Sequence, residues 1–206
     1  MGITDGPFPQ ILPPAIASYD YTDIAEGTGT KYFYGLKDSA SGSINFRLTS
    51  NADTYSSLIE TIRQTAGTDT FDFDTQPFNL PKTVKGTAYV SIPWYYGDAA
   101  NYAYTTAQLQ KISNSVVTDV SEQVVSTQTA GTNKMTMQFL SLPLTQTILK
   151  KGDQIRLVIR MVQVIGTGIH AIGHDPMGRS ADYINSIKDG WGSSALVLHL
   201  PFKIDL

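Results

Sequence analysis

One stretch narrows the choice of fold more than any other: Lys150 to Ile165, KKGDQIRLVIRMVQVI. It opens on a turn signal, Lys151-Gly152-Asp153, and then alternates. Ile155, Leu157, Ile159 and Met161 point one way; Gln154, Arg156, Val158 and Arg160 point the other. A period of two is the mark of a strand with one buried face. Ile155, Val158 and Ile159 are β-branched, which suits a pleated surface. The run predicts a long strand through the middle of a sheet. Its alternation breaks at Val162–Gln163, which predicts a bulge or a change of partner there.

The same period recurs along the chain. Leu196, Leu198, Leu200, Phe202 and Ile204 share one face. Val84, Gly86, Ala88, Val90 and Ile92 share another, in a run closed by Pro93. Shorter strands are expected at Lys31–Leu36, around Phe46, around Phe71 and Phe73, at Tyr102–Ile112 and at Val116–Val125. Met135, Met137 and Phe139 are expected to point inward. Only Tyr55, Leu58, Ile59 and Ile62 have helical spacing, with Asp53 as N-cap, which predicts one short helix ending before Gly67. Asp182–Trp191 reads as an ordered connection. Strands with turn signals between them predict an all-β protein, a jelly-roll β-sandwich.

Residues 1–20 break this pattern. Pro7, Pro9, Pro13 and Pro14 exclude regular helix and interior strand. Phe8, Ile11, Leu12 and Ile16 lie among and just beyond them and are more apolar than a free tail. The segment is expected to be an extended arm whose apolar residues form an interface, on its own domain or on a neighbouring subunit. Residues 21–206 are then a single sandwich domain.

Composition excludes several classes of function. Charged residues are 16% of the 206, and the formal net charge is −3. The charged share is below the roughly 25% of an average soluble protein. Such a balance shows no basic face for a phosphate backbone, so no nucleic-acid partner is expected. There is no cysteine, hence no disulfide and no thiolate metal site. The N-terminus lacks the basic and apolar regions of a signal peptide, and no apolar run reaches a membrane-spanning length. The expectation is a protein made in a cytoplasm without export and without a membrane partner.

The candidate chemistry lies in three places. His170, His174 and Asp175 sit in GTGIHAIGHDPMGR, and two histidines four apart followed by an aspartate can ligate a divalent metal. Gly168, Gly173, Pro176 and Gly178 argue for a loop there, and loops on a rigid scaffold carry binding residues. His199 alternates with the inward leucines and should face away from them. Asp72 and Asp74 share a strand face, where they either are solvated or share a Ca²⁺ with loop carbonyls. Trp94, Tyr95 and Tyr96 stand in a row and offer either core packing or a stacking platform for a sugar ring. No nucleophile elbow, phosphate loop, dinucleotide fingerprint or zinc-protease helix motif occurs, so no cofactor is expected.

Two segments carry a family resemblance. FDFDTQPFNLPKTVKGTAYVSI, Phe71 to Ile92, and MTMQFLSLPLTQTILKKGDQIRLVI, Met135 to Ile159, resemble the galactose-binding-like jelly roll. The matching features are the Val84-Lys85-Gly86 strand, the Lys151-Gly152-Asp153 turn and the Ile155-Arg156-Leu157 strand. That fold hosts carbohydrate binding, enzyme accessory domains and structural roles. The Pro-rich arm and the Thr/Ser/Gly-rich sandwich are also similar in character to capsid decoration and other virion structural proteins. The leading expectation is therefore a non-enzymatic subunit of a virus particle, located in the virion. Its partners would be other copies of itself or other virion proteins. The alternatives are a carbohydrate-binding module or adhesin, with glycans as partners of the aromatic row, and a metal-dependent enzyme at the two histidines.

Overall fold

The computed structural model describes residues 28–38, 45–97, 102–130, 135–179 and 193–203. The arm with Phe8, Ile11, Leu12 and Ile16, the connection 182–191 and Ile204 lie outside them. In chain order the strands are β1 (Thr28–Asp38), β2 (Asn45–Thr49), β3 (Glu60–Arg63), β4 (Gly67–Thr75) and β5 (Lys82–Tyr96). There follow β6 (Tyr102–Ser113), β7 (Val116–Asp119), β8 (Val124–Val125), β9 (Thr129–Ala130) and β10 (Met135–Leu149). Last come β11 (Gln154–Gln163), β12 (His170–Gly173) and β13 (Val197–Lys203). No helix occurs among the described residues, so the all-β class expected from the alternation holds.

Hydrogen bonds link the strands in the order β3-β12-β5-β13-β1-β2-β4-β11-β6-β7, with β10 on the other edge of β5. The first half, around β5, and the second half, around β11, share one apolar cluster. They therefore face each other as the two layers of a sandwich, which does not close into a barrel. The layers meet at β2, antiparallel to β1 and parallel to β4 over Arg47–Asp74 and Leu48–Thr75.

Strand β11 is central to its layer, between β4 and β6. Ile155, Leu157, Ile159 and Met161 are fully buried. At about 1.5–3 kcal/mol for each buried large apolar side chain, these four residues weigh heavily in the core. The break expected at Val162–Gln163 does not occur. The register runs unshifted to Gln163, and this buried amide takes the next inward position. Its Nε2 donates to the Gly166 carbonyl at 3.2 Å, which lets a polar side chain hold an apolar place.

Strand β5 keeps its inward face from Val84 through Ala88, Val90 and Ile92, and then runs on through Trp94 and Tyr96. Pro93 does not end it. On one edge β13 pairs as far as Ser91 and β12 begins at Trp94, so the proline falls in a gap of that ladder. Gly86 has φ +103, a conformation L side chains rarely adopt, opposite the irregularity between His199 and Phe202. In β13 the leucines point inward as expected. His199 points outward and packs edge-on against Tyr32, with ring centroids 4.7 Å apart.

Two local expectations are corrected. The segment around Tyr55, Leu58, Ile59 and Ile62 is extended, not helical. Its long-range partners decide this: the Ser57 amide donates to the Lys37 carbonyl at 2.9 Å, and Glu60–Arg63 pairs with β12. Asp53 caps nothing; its amide donates to Asn51 Oδ1 at 2.9 Å in a local turn. In β10 the inward residues are Leu140 and Leu142, while Phe139 is 76% exposed. Register with β5 sets this parity: Leu140 lies opposite the inward Val90 and Phe139 opposite Ser91.

Candidate functional site

A cleft of about 480 Å³ opens where β1, β2 and the 76–81 connection meet. That size falls in the range of small-molecule sites. Its apolar lining includes Phe33 and Leu36 from β1, Leu48 from β2 and Phe78 from the connection, each under a tenth exposed. Leu80, 70% exposed, stands at its edge. Lys31, Arg47, Lys82 and Asp38 supply the charges.

Phe78 is held by backbone contacts. Its amide donates to the Asp153 carbonyl at 2.9 Å, and the Gly152 amide donates to the Phe78 carbonyl at 2.8 Å. The Lys151-Gly152-Asp153 turn thus fastens one wall of the cleft, with Gly152 at φ +91. The turn is braced in its own right. Asp153 Oδ2 accepts from the Lys150 amide at 2.8 Å and pairs with Lys111 Nζ at 3.2 Å. Burial raises the Asp153 pKa, but the Lys150 amide, the Ser113 hydroxyl and Lys111 outweigh it and hold the carboxyl below its ordinary value. Thr75 is tied to the next strand, its hydroxyl accepting from the Ile155 amide at 3.0 Å.

Among the described residues, three cations and one carboxylate line this cleft in a chain of net charge −3. Arg47 Nη1 pairs with Asp38 Oδ2 at 3.3 Å. Lys31 Nζ lies 5.2 Å from the centroid of the Phe33 ring, and Lys82 Nζ lies 5.7 Å from that of Phe202. Among the described residues neither lysine has a carboxylate partner.

A second, more polar groove lies beside it, over β2, β4 and β11. Here the carboxylates are spent on Arg156. Asp74 takes its Nε at 2.6 Å and its Nη2 at 2.8 Å, and Asp72 takes Nη1 at 2.8 Å. The hydrogen bonds that Arg156 donates to Asp74 raise its pKa against the effect of burial. The shared Ca²⁺ weighed for Asp72 and Asp74 has a guanidinium in its place.

The histidine segment is closed. His170, His174 and Asp175 are all fully buried. His170 Nε2 accepts from the indole of Trp94 at 2.6 Å, and His174 Nε2 meets Thr61 Oγ1 at 2.8 Å. Burial, reinforced by Arg63, lowers the His170 pKa to about 3. Burial is also the largest influence on His174, lowered to about 4. Asp175 accepts from the Ser56 amide at 3.0 Å and from the Arg179 amide and guanidinium at 2.9 Å. Burial raises its pKa, but Arg179 and the backbone amides outweigh that and keep it low.

The metal reading of these three residues is corrected by this geometry. His170 begins strand β12, and four residues along an extended chain put His174 about 13 Å away, far beyond a shared ion. Asp175 is committed to Arg179. No group of three or more metal-ligating side chains occurs among the described residues.

Of the two uses weighed for the aromatic row, core packing is the one the burial favours. Trp94 and Tyr96 point inward, 3% and 0% exposed, while Tyr95 points outward and packs with Ile59 and Met135 over Ala171. Alternation splits the row between two faces, so it forms no platform. Lys31, Leu48, Phe78 and Lys82, which build the open cleft, were not singled out in the sequence. One signal was available: Phe78 and Leu80 are apolar residues in a connection bounded by Pro77 and Pro81.

No protein-family profile matches the sequence, and no curated protein matches it. By structure the chain is similar to a CocE/NonD family hydrolase from Staphylococcus aureus, at 11% identity and TM-score 0.48, over 82% of this chain and 36% of that one. It is similar to an aminopeptidase from a marine sediment archaeon, Thaumarchaeota archaeon, at 9% identity and TM-score 0.49, over 82% and 36%. An infectious bursal disease virus chain, Gx strain, matches more weakly, at 10% identity and TM-score 0.33, over 85% and 37%. The chain therefore spans well under half the length of each of these structures. The expectation of a non-enzymatic virion subunit is corrected here, because hydrolases match ahead of the virus chain.

Proposed function

We propose that this chain is a ligand-binding β-sandwich of the galactose-binding-like kind, taking a small molecule in the cleft between β1, β2 and the 76–81 connection. One observation carries the reading. Phe33, Leu36, Leu48 and Phe78 turn an apolar surface toward an open cleft of about 480 Å³. An apolar surface framed by a few polar groups is the usual composition of a small-molecule site. The resemblance of the Val84–Gly86 and Lys151–Asp153 segments to that fold supports the reading. Both glycines adopt the positive φ that the bend and the turn require. The other two candidates offer less: the histidine segment is sealed, and in the groove over β4 the carboxylates of Asp72 and Asp74 are already paired with Arg156.

The test is a titration of the isotopically labelled protein with small aromatic and aliphatic fragments, followed by NMR. Saturable shift changes gathered at Phe33, Leu48, Phe78 and Leu80, and lost in Phe78→Ala, are expected. Shifts scattered over the surface, or none, would overturn the proposal.

A further inference from the structure

Charge in the cleft names a class of ligand. This inference rests on the binding reading above and deepens it. Among the described residues, Lys31, Arg47 and Lys82 line the cleft against one carboxylate, that of Asp38. Arg47 is matched with Asp38, which leaves the two lysines in excess. The whole chain is acidic, at net −3, so this excess is a local reversal of sign.

The placement of the lysines adds a second argument. A cation near an aromatic face is attracted to the ring quadrupole. The ring leaves the ammonium protons free for an oxygen acceptor, whereas a carboxylate would take them. Lys31 stands over Phe33, which also lines the cleft. Lys82 stands over Phe202, which packs edge-on against Phe78 with ring centroids 6.0 Å apart. Both lysines are thus seated at the rim of the same apolar surface, with no carboxylate partner among the described residues.

We infer that the cleft takes an amphipathic carboxylate, whose apolar body lies on Phe33, Leu48 and Phe78 and whose anionic head meets Lys31 and Lys82. A neutral molecule of the same shape would keep the apolar contact and forgo the charge-assisted hydrogen bonds. A cation of the same shape would meet like charge.

Calorimetric titration of the full chain with 4-phenylbutanoate, 4-phenylbutanol and 4-phenylbutylamine tests this, in the wild type and in Lys31→Gln/Lys82→Gln. The carboxylate is expected to bind about tenfold tighter than the alcohol. That margin should close in the double variant and shrink as salt is raised. Both lysines are solvent-exposed, so the variant is expected to fold as the wild type does. Equal affinity for alcohol and carboxylate would overturn the anionic class and leave the cleft as a neutral apolar site. A carboxylate preference that survives the double variant would overturn the role of the lysines. Absence of saturable binding by all three probes would overturn both this inference and the binding reading beneath it.

Discussion

The open cleft and the histidine segment use similar side chains to opposite ends. Each sets basic groups beside aromatic rings: Lys31 over Phe33 in the cleft, Arg179 over Tyr55 and Trp94 against His170 in the segment. In the segment the charges are answered locally. Asp175 is fully buried and takes Arg179, and both histidines stay neutral because ionising them inside the layer costs solvation. In the cleft the two lysines remain at the solvent boundary, and among the described residues neither is paired with a carboxylate. The lesson is that polar chemistry in a sandwich is structural where neighbouring strands cover it. It is available to a ligand only where it reaches solvent.

The largest expected effect breaks the segment by pH. Both histidines have folded pKa values far below the ordinary 6.5, at about 3 and about 4. The unfolded chain therefore binds more protons below pH 6.5. Stability is fully present above that value and falls as the pH drops toward the folded values. Each histidine removes up to about 1.4 kcal/mol per pH unit in that window. Urea denaturation between pH 7 and 4.5 should show the slope, and His170→Gln/His174→Gln should flatten it. An equal slope in both proteins would show that other groups govern the acid limb.

Next in size, Asp175→Ala removes the acceptor for Arg179 and for the Ser56 amide. A loss of about 3 kcal/mol is expected, since breaking the pair leaves the Arg179 guanidinium on the Ser56 carbonyl without its carboxylate. Arg179 is partly exposed, which keeps the figure at the low end of such losses. Ligand affinity of the folded fraction should not change, which separates the two regions. Phe78→Ala should cost up to about 3 kcal/mol of stability and abolish fragment binding together. A variant that loses stability yet binds as before would move the ligand away from this surface. Thr61→Val removes the hydroxyl beside His174 and should cost about 1 kcal/mol, seen as a lowered denaturation midpoint. Smallest of all, Lys31→Gln/Lys82→Gln should leave stability within about 0.5 kcal/mol, as befits exposed positions.

Some of this was legible from residues in order, and some was not. Alternation in Ile155–Met161, Val84–Ile92 and Leu196–Phe202 named strands and their inward faces, because each run contrasts apolar with polar neighbours. It failed at Met135–Phe139, where both parities carry apolar residues: Met135, Met137 and Phe139 on one, Leu140 and Leu142 on the other. Only pairing with β5 decided between them. It failed again at Tyr55–Ile62, where helical spacing of apolar residues lost to backbone partners in β1 and β12. The histidines and the aromatic row drew attention because their residue types are chemically versatile. Burial, which no residue type declares, withdrew them.

The sequence by itself determined that the chain is all-β, and which faces of β5, β11 and β13 seek the core. That follows because side-chain direction in a strand repeats every two residues and apolar surface is driven from water. Tertiary structure alone decided the inward face of β10, the non-helical course of residues 53–63 and the burial of the histidines. It also decided the site. Lys31, Arg47, Phe78 and Lys82 lie on separate segments and become one cleft only when β1, β2 and the 76–81 connection meet. Of these only the 76–81 connection is fastened to the Lys151–Asp153 turn, and the meeting of all three is set by cross-strand register and long-range hydrogen bonds, neither of which is encoded in any local run of residues.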